Sequence, residues 1–173
     1  SIATNMATPT YPMASMTSRR RGATAISSDA RSLRLRLAQL DQDQADLERA
    51  RHLWAQGSEL SRVAPREAFE LIHRAALRGA GVLVARANRA RRRALPLNVW
   101  TAMERMGGED AQRAEDLAPL VAERMRLDRD CSALPDPALL ERHLGETAAH
   151  LDRISQRLLE DLPAHVTDLA ASD

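Results

Sequence analysis

The chain has 173 residues, of which 44% are hydrophobic and 28% are charged, and its net charge is +1. This balance excludes a disordered chain, and the small net charge excludes a protein drawn to nucleic acid or membranes by its overall field. No stretch approaches the roughly 18 apolar residues of a membrane span, and no apolar run follows Arg19 to Arg21 as a signal peptide would require. We therefore expect a cytoplasmic protein.

Aromatic residues make up only 2% of the chain, so its core must be built from Leu, Ala, Val, Met and Ile. Such a core favours close-packed helices, because strands prefer β-branched and aromatic residues. Residues 1–28 lack hydrophobic periodicity, and we expect them to be disordered. A first helix is predicted from Ala30 to Gln56, with Gly57 as its stop. Its apolar stripe, broken by Gln44 and Arg51, consists of Leu33, Leu37, Leu40, Leu47 and Trp54.

The second helix is predicted from Pro65, a residue suited to a first helical position, to about Ala90. Gly79 and Gly81 lie among alanines in its middle, and each glycine costs about 1 kcal/mol of helix propensity. A tightly packed neighbouring helix would offset that cost, because small side chains let two helix axes approach. The apolar face of this helix comprises Phe69, Ile72, Ala76, Ala80, Leu83 and Ala87.

Two shorter helical segments follow, one opening near Leu97 and one after Gly107 and Gly108. Pro119 is predicted to kink or split the second of them. The last helix is predicted from Asp136 to Leu162, with residues 164–173 as a frayed tail. Its heptad-like stripe is the clearest in the chain and consists of Leu140, Leu144, Thr147, Leu151, Ile154 and Leu158. Together these elements predict an all-α fold, an antiparallel four- to five-helix bundle over residues 29–163.

The stretch from Pro65 to Trp100 resembles an actinobacterial branch of the HEPN superfamily. It reads Pro-Arg-Glu-Ala-Phe-Glu-Leu-Ile-His-Arg-Ala-Ala-Leu-Arg-Gly-Ala, then an Arg-rich turn, then Leu-Asn-Val-Trp. The resemblance covers roughly residues 45–162. It implies a four- or five-helix bundle, often a homodimer, that is either a ribonuclease of toxin and defence systems or a non-catalytic binder of RNA, nucleotides or proteins.

The nuclease members of the superfamily carry an Arg, four to six residues and then a His late in the domain. Here Arg142 directly precedes His143, so the expected position lacks the pattern, and we expect a non-enzymatic protein. Arg66 and His73 have the required spacing on an early helix. The catalytic candidates, if the chain is a nuclease, are Arg66, His73, Arg78, Arg142 and His143.

A basic cluster follows the second helix and is the strongest local charge feature. It would hold RNA or DNA phosphates through charge-assisted forks, or it is a solvated helix end, where cations are favourable. Few aromatic residues are available for base stacking, so binding would be led by the phosphate backbone. The candidate nucleic-acid-binding residues are Arg86, Arg89, Arg91, Arg92 and Arg93.

The late residues His143, Glu146 and His150 share one helix face, which we interpret as an exposed polar surface and not as a metal site. His73 is interpreted as a partly buried core histidine, and Trp54 and Trp100 as core anchors. No cofactor or metal is expected. The sequence therefore predicts a HEPN-like module that binds RNA, nucleotides or protein without catalysis. A divergent HEPN ribonuclease and a helical adaptor with no nucleic-acid role remain the alternatives.

Overall fold

The computed structural model describes the backbone of residues 14–163 and the side chains from residue 27 onward. In this part of the chain there are five helices and no strand, which confirms the predicted all-α bundle. The helices are α1 (Ala14–Leu60), α2 (Pro65–Asn88), α3 (Val99–Met106), α4 (Gly108–Arg129) and α5 (Pro137–Glu160). Residues 1–13 and the predicted frayed tail, 164–173, lie outside the described residues.

The chain divides into two compact units, Ser1–Ala38 and Gln39–Asp173. The described residues of the first unit are helical and include no buried side chain. The second unit is the bundle, formed by the remainder of α1 with α2 to α5. Within residues 14–163 no helix has both the length and the apolar content that crossing a membrane requires.

The long helices of the bundle alternate in direction along the chain, as predicted for an antiparallel bundle. Within the bundle, contacts between an early position of one long helix and a late position of its neighbour establish this order. The defining pairs are Asp43 with Arg89, Leu144 with Trp54, Glu70 with Arg124, Arg66 with Leu127 and Asp110 with Arg157.

Helices α2 and α5 run parallel and approach each other closely. Ala76 and Ala80 are fully buried, and the carbonyl oxygen of Ala76 lies 3.2 Å from Nε2 of His150. A Cβ placed on Gly79 would lie 2.8 Å from Cδ1 of Ile154. The predicted close neighbour of the small-residue segment is therefore α5. Gly81, by contrast, has nothing within 4 Å of such a Cβ, so no contact explains that glycine.

Three predicted helix features differ from the structure. The first helix begins at Ala14 and ends at Leu60, so Gly57 is not a stop. A Cβ on Gly57 would lie 2.7 Å from Cγ1 of Ile72, so this glycine lets α1 approach α2. Helix α4 continues through Pro119 without splitting.

Candidate functional site

The arginines predicted to bind nucleic acid fall into two groups in the structure. Arg86 donates to both carboxylate oxygens of Asp161, at 2.6 and 2.7 Å. Arg89 donates to both carboxylate oxygens of Asp43, at 2.7 Å each. These two arginines join α2 to α5 and to α1, and their forks are occupied by protein carboxylates. Their role in this structure is to hold the bundle together.

Arg91, Arg92 and Arg93 are exposed and form no ion pair or side-chain hydrogen bond with any residue of the described chain. They lie on the loop between α2 and α3. The loop is closed at its base, because Oδ1 of Asn88 accepts a hydrogen bond of 2.9 Å from the backbone N–H of Leu95. Leu95 itself is 5% exposed and packs in the core. We refer to residues 91–93 as the arginine loop.

A buried polar chain links α2 to α5. Nδ1 of His73 lies 3.3 Å from Nε2 of His143, and Nδ1 of His143 lies 2.9 Å from Oγ1 of Thr147. None of the three residues is more than 2% exposed. We call this arrangement the histidine relay. The sequence predicted burial of His73, but the partnership of His73 with His143 depends on how α2 docks against α5.

The two imidazoles of the relay are neutral near physiological pH. Burial lowers the pKa of His73 to about 4, and the charge of Arg124 adds to that effect. Burial and the neighbouring His73 lower the pKa of His143 to about 3. Groups with such pKa values are weak bases, whereas a general base is most effective when its pKa lies near the working pH.

The predicted exposed polar face of the last helix is wrong. His143 is fully buried and His150 is 1% exposed, and burial is the main reason that the pKa of His150 falls to about 4. Glu146 is half-buried and accepts a hydrogen bond of 2.9 Å from Arg113. Both histidines face α2: His150 lies beside Ala76 and Gly79, and His143 lies beside Phe69 and His73.

The other catalytic candidates are not brought together with the relay. Arg66 donates to the backbone carbonyls of Leu127, Asp130 and Ala133 at 2.6 to 2.8 Å, so it caps the end of α4. Arg78 is exposed and has no side-chain partner among the described residues. Arg142 is also exposed, and its one contact is with the carbonyl oxygen of Asp116 at 3.5 Å.

A groove between α2 and α4 opens above the relay, and sequence reasoning did not predict it. His73 lies in its wall together with Leu97, Trp100, Val121, Arg124 and Met125. Arg124 donates twice to Glu70, at 3.0 Å each, and this ion pair lowers the pKa of the Glu70 carboxyl. The residues come from three helices and one loop, so no local motif in the sequence marks the groove.

Within the described residues, no group of three or more His, Cys, Asp or Glu side chains is arranged to hold a metal ion. Comparison with known proteins adds no further assignment, because no family model, curated protein or solved structure matches this chain.

Proposed function

We propose that this chain is a HEPN-like, non-catalytic module that binds the phosphate backbone of RNA through Arg91, Arg92 and Arg93. The observation that carries the proposal is the contrast within one basic segment. Arg86 and Arg89 have their forks filled by carboxylates, whereas the three following arginines face solvent with their donors free of protein partners. The resemblance of residues 65–100 to HEPN proteins supports RNA as the ligand.

The arginine loop is suited to phosphate. A guanidinium presents several N–H donors in a fork that matches phosphate oxygens. The bond from Leu95 to Asn88 and the buried Leu95 side chain fix both sides of the loop base. Because the backbone is already ordered, binding loses less conformational entropy than it would on a flexible segment.

A non-catalytic role is supported by the relay and by the positions of the candidate residues. The imidazoles of His73 and His143 are neutral and buried, and Arg66 is bound to main-chain carbonyls. The resemblance further supports a homodimer, which sedimentation can test. We also propose a cytoplasmic location, which cell fractionation can test.

The proposal is tested by fluorescence anisotropy with a short labelled single-stranded RNA across a series of salt concentrations. For single strands, log affinity falls linearly with log salt concentration, and each phosphate contact makes that slope steeper by about 0.7. Changing Arg91, Arg92 and Arg93 together to Ala should therefore weaken binding and flatten that slope by about 2.

The matched control changes three other exposed arginines to Ala: Arg36, Arg62 and Arg129. This variant loses the same charge, but from three separate places that have no side-chain ion pair. It should keep most of the affinity and slope of the unaltered protein. Equal losses in the two variants would mean that only overall charge matters, and absence of RNA binding by the unaltered protein would overturn the proposal.

A ribonuclease is the second candidate, because His73 lies in the groove wall beside a cation. Arg124 is close enough for its charge to lower the pKa of His73, and ribose 2′-hydroxyl chemistry uses a neutral imidazole as base. The same RNA samples should be examined on a denaturing gel. Metal-independent cleavage that disappears in His73→Ala would replace the binding proposal, whereas cleavage unchanged by that substitution would exclude His73 as the base.

A further inference from the structure

The groove between α2 and α4 has an apolar rim that the bundle leaves open. Its open volume is about 320 Å³. Leu97 at the rim is fully exposed and Met125 is 55% exposed, although large apolar side chains of a folded domain are usually covered. The half-buried indole of Trp100 forms part of the same wall. An open apolar groove of this kind is suited to a flat, largely apolar group.

Among the polar groups of the groove is a ring nitrogen of His73 whose position is fixed. Nδ1 of His73 is engaged by His143, so Nε2 is the ring nitrogen left for a ligand. No other described residue forms a hydrogen bond with it. Thr147 holds His143 from the far side, so the ring of His73 cannot turn without breaking the relay. The groove therefore combines apolar walls with an oriented ring nitrogen, and the Arg124 guanidinium held by Glu70 lies in the same wall.

The arginine loop leads directly into this groove. Arg93 is four residues before Leu97, and four residues span at most about 14 Å. Successive nucleotides of one strand are about 3.4 Å apart along a double helix, and in an extended single strand they are farther apart. A strand whose phosphates contact the loop therefore places a base within reach of the groove.

We propose that the groove holds one unpaired base of the RNA strand whose backbone contacts the arginine loop, an inference that rests on the proposed function. The base would lie against Trp100, Leu97 and Met125, as unstacked bases of single-stranded RNA lie against aromatic and apolar side chains. Its edge would meet Nε2 of His73.

The relay makes this site tolerant of base identity. When Thr147 donates to His143, His143 donates to His73, and Nε2 of His73 carries a hydrogen. When the protons are shifted to the other ring nitrogens, Nε2 is an acceptor. Both arrangements are neutral and preserve both hydrogen bonds of the chain. The site can therefore meet either a donor or an acceptor on the base, so we expect weak preference among the four bases.

The test compares a short single-stranded RNA with an abasic strand that has the same sugar-phosphate backbone. Both strands have equal charge, so the arginine loop binds them alike. Stacking of one base should make the intact strand bind at least about fivefold tighter. In Trp54→Phe, Trp100 is the remaining tryptophan, and its fluorescence should be quenched by the intact strand alone.

The groove variant is Leu97→Ser with Met125→Ser, and the matched control is Leu134→Ser with Leu159→Ser. All four substituted residues, three leucines and one methionine, have exposed side chains, so folding should tolerate both variants. The preference for the intact strand should decrease in the groove variant and persist in the control. Trp54→Phe is not needed for this comparison.

Each contrary result has a separate meaning. Salt-sensitive binding of both strands with equal affinity would overturn the base site and leave the arginine loop in place. A base preference that is undiminished in the groove variant would also overturn the base site. Failure of both strands to bind would overturn both proposals. If the groove variant converts a dimer to a monomer in sedimentation, the groove is an interface between copies of this chain and not a base site.

Discussion

Both carboxylate oxygens of Asp43 accept hydrogen bonds from Arg89, at 2.7 Å each. Asp43 is 2% exposed, whereas the side chain of Arg89 is about a third exposed. The pair joins the middle of α1 to the residue that follows α2. It therefore fixes the end of α2 from which the arginine loop departs.

The unequal burial of this pair predicts unequal effects of removing each partner. Arg89→Ala leaves a buried carboxylate without a counterion, which should lower the free energy of unfolding by about 3 kcal/mol. Asp43→Ala leaves a guanidinium that can turn into water, and it should cost about 1.5 to 2 kcal/mol, the lower part of the range for hydrogen bonds to charged groups. Urea unfolding measures both.

The double variant provides the control for this prediction. Removing Asp43 as well as Arg89 eliminates the unpaired buried charge, so the double variant should be more stable than Arg89→Ala alone. Equal costs for the two single variants would show that the burial of Asp43 does not decide the energetics.

The periodicity of α5 correctly predicted which side of that helix is buried, because its apolar heptad positions are the ones that pack into the core. Leu151, Ile154 and Leu158 are all 2% exposed or less. The prediction of Gly57 as a helix stop is wrong, since glycine occurs both at helix ends and at close helix contacts. The sequence alone does not distinguish the two uses; the position of Ile72 in the neighbouring helix does.

The candidate site was predicted only in part, because its features depend on pairing between distant residues. A run of arginines marks the loop, but which arginines are neutralised depends on Asp43 and Asp161, far away in the chain. The sequence predicts an exposed polar face at His143 and His150, because histidine occurs both on protein surfaces and in protein cores. Their burial depends on how α5 packs against α2, where His150 lies beside Gly79 and His143 lies beside His73.

The two glycines of α2 offer a matched pair of substitutions. Gly81→Ala gains helix propensity and meets no atom within 4 Å, so it should stabilise the protein by about 1 kcal/mol. Gly79→Ala gains the same propensity, but its Cβ would lie 2.8 Å from Ile154 and 2.9 Å from Leu151.

Those two side chains are buried, so the crowding at residue 79 must displace packed core atoms. Overpacking of a core typically costs about 1 to 3 kcal/mol, and Gly79→Ala should therefore be destabilised overall. Thermal or urea unfolding of both variants checks this. If the two alanines stabilise the protein equally, α2 and α5 are not in close contact at this point.

Arg66 is expected to stabilise the bundle and not to act on RNA. Its guanidinium donates to three main-chain carbonyls at the end of α4 and in the loop that follows. An ammonium has no planar fork to reproduce this geometry, so Arg66→Lys should lower the free energy of unfolding by about 2 kcal/mol. Arg78→Lys, on the exposed face of the same helix, is the control and should change stability little. A loss of RNA affinity in Arg66→Lys at full stability would contradict the capping role.

The buried histidines predict a loss of stability in mild acid. Their pKa is about 6.5 in an unfolded chain, whereas in the folded protein it is about 4 for His73 and His150 and about 3 for His143. Above pH 6.5 both states are neutral, and these residues do not make stability depend on pH. As the pH falls below 6.5, the unfolded chain takes up protons that the folded protein cannot, so the free energy of unfolding decreases. The decrease continues until the folded-state pKa is reached.

Each such histidine contributes a slope of up to about 1.4 kcal/mol per pH unit once its unfolded form is protonated. Urea unfolding between pH 6 and pH 5 isolates this effect, because most carboxylates are still ionised there. His150→Leu places an apolar side chain against Gly79. Between pH 6 and pH 5 it should reduce the slope by about 1.2 kcal/mol per pH unit. The matched control is His52→Gln, which replaces an exposed histidine of α1. A slope that His150→Leu does not alter would mean that His150 accepts a proton without unfolding, and its burial against α2 would then not oppose ionisation.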